Sequence, residues 1–143
     1  MKTKPYASSI FLALNGLILM GLGFYFIFIR PPLLPEDSRF MGTTLDQIQL
    51  VMPGLLIWLR RVFWVMGGFM FATGLLLLHI ALTTYRTHSI STRLVIAAAV
   101  LSSIGWMAVV NFLIASDFKW LILTFNLPWI AALVLSLGER RKV

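Results

Sequence analysis

The side chains best suited to act on another molecule fall into two groups. Asp46, Gln47, Arg60 and Arg61 lie in the most polar stretch of the chain, Arg30–Arg61, and His79 stands alone in an apolar run. Two guanidinium groups near a carboxylate and an amide could hold an anionic or polar headgroup through charge-assisted hydrogen bonds. Asp46 and Asp117 are the acids best placed by sequence to meet Arg60 and Arg61. The plainer account of the two arginines, with Trp58, is anchoring at a membrane interface, where long cationic side chains reach the headgroups.

His79 could ligate a metal or haem only with a second ligand, and the only other histidine is His88. It is therefore expected to be a neutral histidine bonded to a neighbour such as Thr83, one turn on. Asn15, Asn111 and Asn126 sit within apolar stretches, where an amide more often ties helices together than it touches a ligand. Serines are plentiful, but none has a base within the apolar segments to make it a nucleophile.

Other chemistry is excluded by what is missing. There is no cysteine, so thiol relays, disulfides and Cys-ligated metals do not arise. Neither a Gly-rich phosphate loop nor an HExxH pair occurs, and paired carboxylates for acid–base work are lacking. No catalytic, cofactor-binding or metal site is expected, and the protein is not expected to be an enzyme.

The elements that must position these residues follow from composition. Of 143 residues, 59% are hydrophobic and 12% charged, with a mean hydropathy of +0.91. A soluble domain this small could not hide so much apolar surface. The net charge of +7 lacks the basic face interleaved with aromatics that nucleic acid requires, so membrane orientation is the better account of it.

An all-α, four-helix transmembrane bundle is predicted as a single membrane domain over residues 1–143. Its spans are Tyr6–Ile29, Val62–Thr84, Leu94–Ala115 and Trp120–Leu137, each near the 20 or so residues a crossing needs. Only helices satisfy their own backbone in lipid. Pro128 should kink the last span. The apolar run after Met1 is longer than a signal-peptide core and has no small-x-small cleavage site after Ile29, so a retained first helix is expected.

Lys2, Lys4, Arg86, Arg93, Arg140, Arg141 and Lys142 crowd the short segments on one side of these spans. Arg30, Arg39, Arg60, Arg61 and Lys119 are spread over longer segments on the other. The contrast puts both termini in the cytoplasm. No span carries an acid or a lysine, so a proton-coupled pump of the small multidrug type is unsupported.

Ser9, Gly16 and Gly23 recur every seven residues, as do Gly67, Gly74 and Ala81. A seven-residue step keeps small side chains on one helix face, where two backbones can approach closely. Packing of the first span on the second is expected, with a weaker stripe at Ala98, Ser102 and Gly105. The external stretch 30–61 should fold as a cap over the helix ends. Thr44 with Gln47 reads as a capping box, predicting a short interfacial helix from Leu45 to Met52. Pro53 suits the first turn of the next helix, which should run from about Gly54 through Arg60 and Arg61 into the second span.

The run Phe40-Met41-Gly42-Thr43-Thr44, then Gln47-Ile48, Pro53, Gly67-Gly68 and Gly74 resembles a pattern in small uncharacterised bacterial four-helix membrane proteins of DoxX-like layout. The likeness implies the bacterial inner membrane and an association with quinone-linked oxidation. Where some such proteins carry His-Asp-Arg before the glycine pair, this chain has Arg61, Val62 and Phe63. The function expected first is a non-catalytic accessory or lipid-contacting scaffold subunit, without cofactor. Its partners would be the bilayer and another membrane protein or a second copy, not nucleic acid. A quinone or small-ligand-binding partner of a redox enzyme, and a small dimeric transporter, are the alternatives.

Overall fold

The structure, a computed structural model, describes residues 6–83 and 90–139. His88 and six of the twelve lysines and arginines that set the expected orientation lie outside the described residues. Within them there is helix but no strand. Four helical stretches are long and apolar enough to cross a membrane: Ala7–Phe28, Pro53–Leu82, Ile90–Leu113 and Lys119–Glu139.

The first is α1, Ala7–Phe28. It ends where Ile29 and Arg30 both donate to the Tyr25 carbonyl, at 2.9 and 2.8 Å, because Pro31 and Pro32 have no N–H to continue the ladder. Pro35 then starts α2, Pro35–Met41, at its first helical position. Gly42, at φ 67°, closes α2 in the left-handed region that glycine enters without strain. Next comes α3, Leu45–Val51, opened by the Thr44–Gln47 capping box. A single residue, Met52, joins it to α4, Pro53–Leu82.

At 30 residues and a rise of 1.5 Å each, α4 is about 45 Å long, well beyond a hydrocarbon core of about 30 Å. Its first turns, with Trp58, Arg60 and Arg61, therefore have no need to lie in lipid. The third span comprises α5 (Ile90–Val100), a π-helical turn (Leu101–Gly105) and α6 (Trp106–Leu113). The fourth comprises α7 (Lys119–Thr124) and α8 (Leu127–Glu139).

Several expected boundaries move. The helix of the second span begins at Pro53, the proline expected in its first turn, and ends at Leu82, whereas its expected end, Thr84, lies outside the described residues. The third span starts at Ile90 rather than Leu94 and stops at Leu113. Ala115 is not helical: its φ of 51° reverses the chain. The fourth span is broken at Phe125 and Asn126, just before Pro128, whose ring can give nothing to the Thr124 carbonyl. Residues 30–61 hold one helix more than the sequence reading expected, α2.

The small-residue stripes meet tightly. A Cβ on Gly16 would stand 2.8 Å from the Gly74 carbonyl oxygen, and one on Gly23 would stand 2.7 Å from that of Gly67. The other face of α1 buries Ser8, Leu12, Asn15 and Leu19. The Ala98–Ser102–Gly105 stripe is not a packing face, because Ala98 and Ser102 are exposed. Ile96, Val100, Ile104 and Ala108 are buried instead. Steps of four overrun an α-helical turn of 3.6 residues, and the wider π turn absorbs the excess.

Leu12, Leu19, Leu77, Ile96, Val100 and Trp129 form the heart of the core. No span buries more than 33% of its most apolar stretch. The outward faces carry Phe69, Leu76 and Trp106, a surface suited to lipid. His79 is exposed on α4. Thr83 does bond to it, but through the His79 backbone, its Oγ1 donating to the carbonyl at 2.7 Å.

Candidate functional site

Asp46, Gln47, Arg60 and Arg61 are all exposed, and among the described residues neither Arg60 nor Arg61 forms an ion pair. Gln47 is engaged in its own cap: Oε1 accepts from Thr43 Oγ1 at 2.9 Å and from the Thr44 N–H at 3.3 Å. Arg61 lies over the Trp64 ring at 4.3 Å. The acids expected to meet these arginines do not. Asp117 pairs with Arg39 at 2.9 Å, and among the described residues the only other ion pair is Arg30–Asp37. Both pairs involve α2, which brings its own charges to the end of the bundle where Asp117 lies.

The chemistry converges instead on a cavity of about 540 Å³ at that end. Leu22, Phe63, Met66, Met107, Val110 and Phe125 contribute apolar wall from all four spans. Arg30, Glu36, Asp37, Asn111 and Ser116 supply its polar edge.

Arg30 is fixed from three directions. Its guanidinium carbon stands 3.6 Å from the Phe63 ring centroid, Nη2 is 3.2 Å from Asp37 Oδ2, and Nη1 donates to the Pro31 carbonyl at 3.1 Å. The same Asp37 oxygen accepts the Leu34 N–H at 2.9 Å, so Asp37 both caps α2 and neutralises Arg30. An acid in the first turn is also favoured by the helix dipole.

Glu36, next in sequence, is only 2% exposed. Its Oε1 accepts from Ser116 Oγ at 3.1 Å. Ser116 is held by the turn between the third and fourth spans: its N–H donates to the Asn111 carbonyl at 2.9 Å, and its Oγ accepts the Phe118 N–H at 3.1 Å. Arg39 latches α2 to the same turn through Asp117 and the Ala115 carbonyl. That latch is more than half exposed, so it adds little stability.

Asn111 borders the cavity while its Nδ2 donates to the Met107 carbonyl at 2.9 Å. The other two asparagines serve the broken fourth span. Asn126 Nδ2 donates to the Ile122 carbonyl at 3.0 Å, and its Oδ1 accepts from Trp129 Nε1 at 3.0 Å. Asn15 Nδ2 reaches the Phe125 carbonyl at 3.3 Å.

A second polar cluster lies at the opposite end of the bundle. Ser8 donates through both its N–H and its hydroxyl to the Glu139 carboxylate. Arg93, buried, donates to the Ser136 carbonyl at 3.1 Å. These bonds bring the start of α1, the start of α5 and the end of α8 together. Among the described residues no His, Asp and Glu side chains gather as a metal site would require.

Arg30, Glu36, Asp37 and Ser116 were missed as a site by sequence reasoning. The usable signal was Pro35-Glu36-Asp37, a proline at a first helical position followed by acids in the first turn. No protein-family model, curated protein or solved structure matches the chain.

Proposed function

We propose that this chain is a multi-pass protein of a bacterial inner membrane that holds an amphiphilic molecule, without catalysis, as an accessory subunit. Both termini are placed in the cytoplasm on the density of Lys and Arg. That orientation puts α2, α3 and the cavity at the outer face. The exposed Leu45, Leu50 and Val51 of α3 suit a helix lying in the interface.

The observation that carries the reading is the cavity: apolar walls drawn from four spans, with charged and amide groups at one edge. Ligand sites have this character, mostly apolar with a few polar groups that fix orientation. The lining groups offer charge and hydrogen bonds, and neither a histidine nor a lysine is among them.

Extraction in mild detergent followed by native mass spectrometry tests this. The wild-type protein should retain a lipophilic molecule, and Met107→Trp, which fills the cavity, should lose it while its helical circular dichroism is unchanged. A wild-type protein that carries nothing, or a Met107→Trp protein that carries as much, would overturn the reading.

A further inference from the structure

We infer that the cavity selects an amphiphile with a cationic head, and that Glu36 is its counter-charge. This rests on the amphiphile-binding reading above. The charges at the cavity edge do not balance internally. Arg30 and Asp37 neutralise each other at 3.2 Å, and both are further occupied, Arg30 by the Phe63 ring and the Pro31 carbonyl, Asp37 by the Leu34 N–H. Among the described residues Glu36 has only the neutral Ser116 hydroxyl. The nearest basic residue in sequence, Arg39, turns outward to Asp117 and the Ala115 carbonyl.

A carboxylate this deeply buried without a cation is costly, and an opposite charge brought to it recovers much of that cost. An ionised carboxylate is also acceptor-only, with room for several donors. An ammonium head supplies both the charge and, where it carries protons, the donors. Aromatic rings favour the same head: Tyr25, Phe118 and Phe125 border the cavity with Glu36, and ring faces attract ammonium groups.

Other heads fit less well. A phosphate or carboxylate would meet Glu36 and Asp37 with like charge, and the one arginine that could receive it is already held. A quinone head offers only acceptors to an acceptor.

The full-length protein in zwitterionic lipid nanodiscs, with empty discs as the partition control, allows a direct test. Decyltrimethylammonium, decanol and decanoate share one chain length and differ in head charge. Tryptophan fluorescence should report decyltrimethylammonium binding about tenfold tighter than decanol, with decanoate weakest. Glu36→Gln should abolish the preference for the cation over decanol. Equal or tighter binding of decanol or decanoate by the wild type, or a preference that survives Glu36→Gln, would overturn the charge assignment and leave the amphiphile cavity standing. Binding of none of the three above empty discs would overturn the amphiphile reading itself. If Glu36→Gln fails to fold, the wild-type ranking of the three probes decides.

Discussion

Gly16 and Gly74 lie face to face across the α1–α4 interface, and each occupies space that the other's side chain would need. A Cβ on Gly74 would come within 2.6 Å of the Gly16 carbonyl and 2.7 Å of the Met20 backbone nitrogen. Both obstacles are backbone, so neither can rotate away.

Gly74→Leu should therefore destabilise the fold by at least about 1–3 kcal/mol, the usual penalty of overpacking. Gly68, one residue past Gly67, has open space where its Cβ would be, and Gly68→Ala should be neutral or slightly stabilising. Thermal unfolding in detergent, followed by circular dichroism, compares the two.

Asn126 should matter more than Asn15. Asn126→Ala strands the Ile122 carbonyl and the Trp129 indole N–H, both inside the bundle, at a cost of about 1–2 kcal/mol. Asn15 makes one long bond and leaves Oδ1 without a partner, so Asn15→Ala should lose less. Equal losses in melting temperature would contradict the difference in bonding.

Ala115 is the one non-glycine residue with positive φ among those described. Ala115→Gly should raise stability by up to about 1 kcal/mol, since relief of left-handed strain outweighs the added freedom of the unfolded chain. The Arg39 bond to residue 115 uses the carbonyl, so it survives the change. A lower melting temperature would refute this.

The orientation can be checked chemically because the chain has no cysteine. In intact cells a membrane-impermeant thiol reagent should label Asp46→Cys and spare Ser89→Cys. The reverse pattern would place the cavity on the cytoplasmic side.

The four long helices are plain in the sequence because lipid demands long apolar runs, and Pro128 marks the break in the last of them by its missing N–H. Small residues at every seventh position were visible too, and the structure sets Gly16 against Gly74 and Gly23 against Gly67. The π turn at Leu101–Gly105 left no trace, since it requires no particular residue type and answers only to how far the buried face must be rotated. The polar site was harder. Arg60 and Arg61 stand out in the sequence as a local pair, whereas the burial of Glu36 depends on Ser116, a partner 80 positions away. Nothing near Glu36 in the chain distinguishes it from a solvated acid. Only the packing of α2 against the turn at Ser116 does.

That same separation orders events during synthesis. All residues of the α1–α4 hairpin have been supplied once Leu82 is made, and its glycine contacts need nothing from later residues. Glu36 has by then been made, yet its partner Ser116 has not. It can dock only when Ser116 arrives, and the cavity closes only when the fourth span brings Phe125. A chain that ends between Leu82 and Ser116 holds every glycine of that hairpin but neither Ser116 nor Phe125 of the cavity.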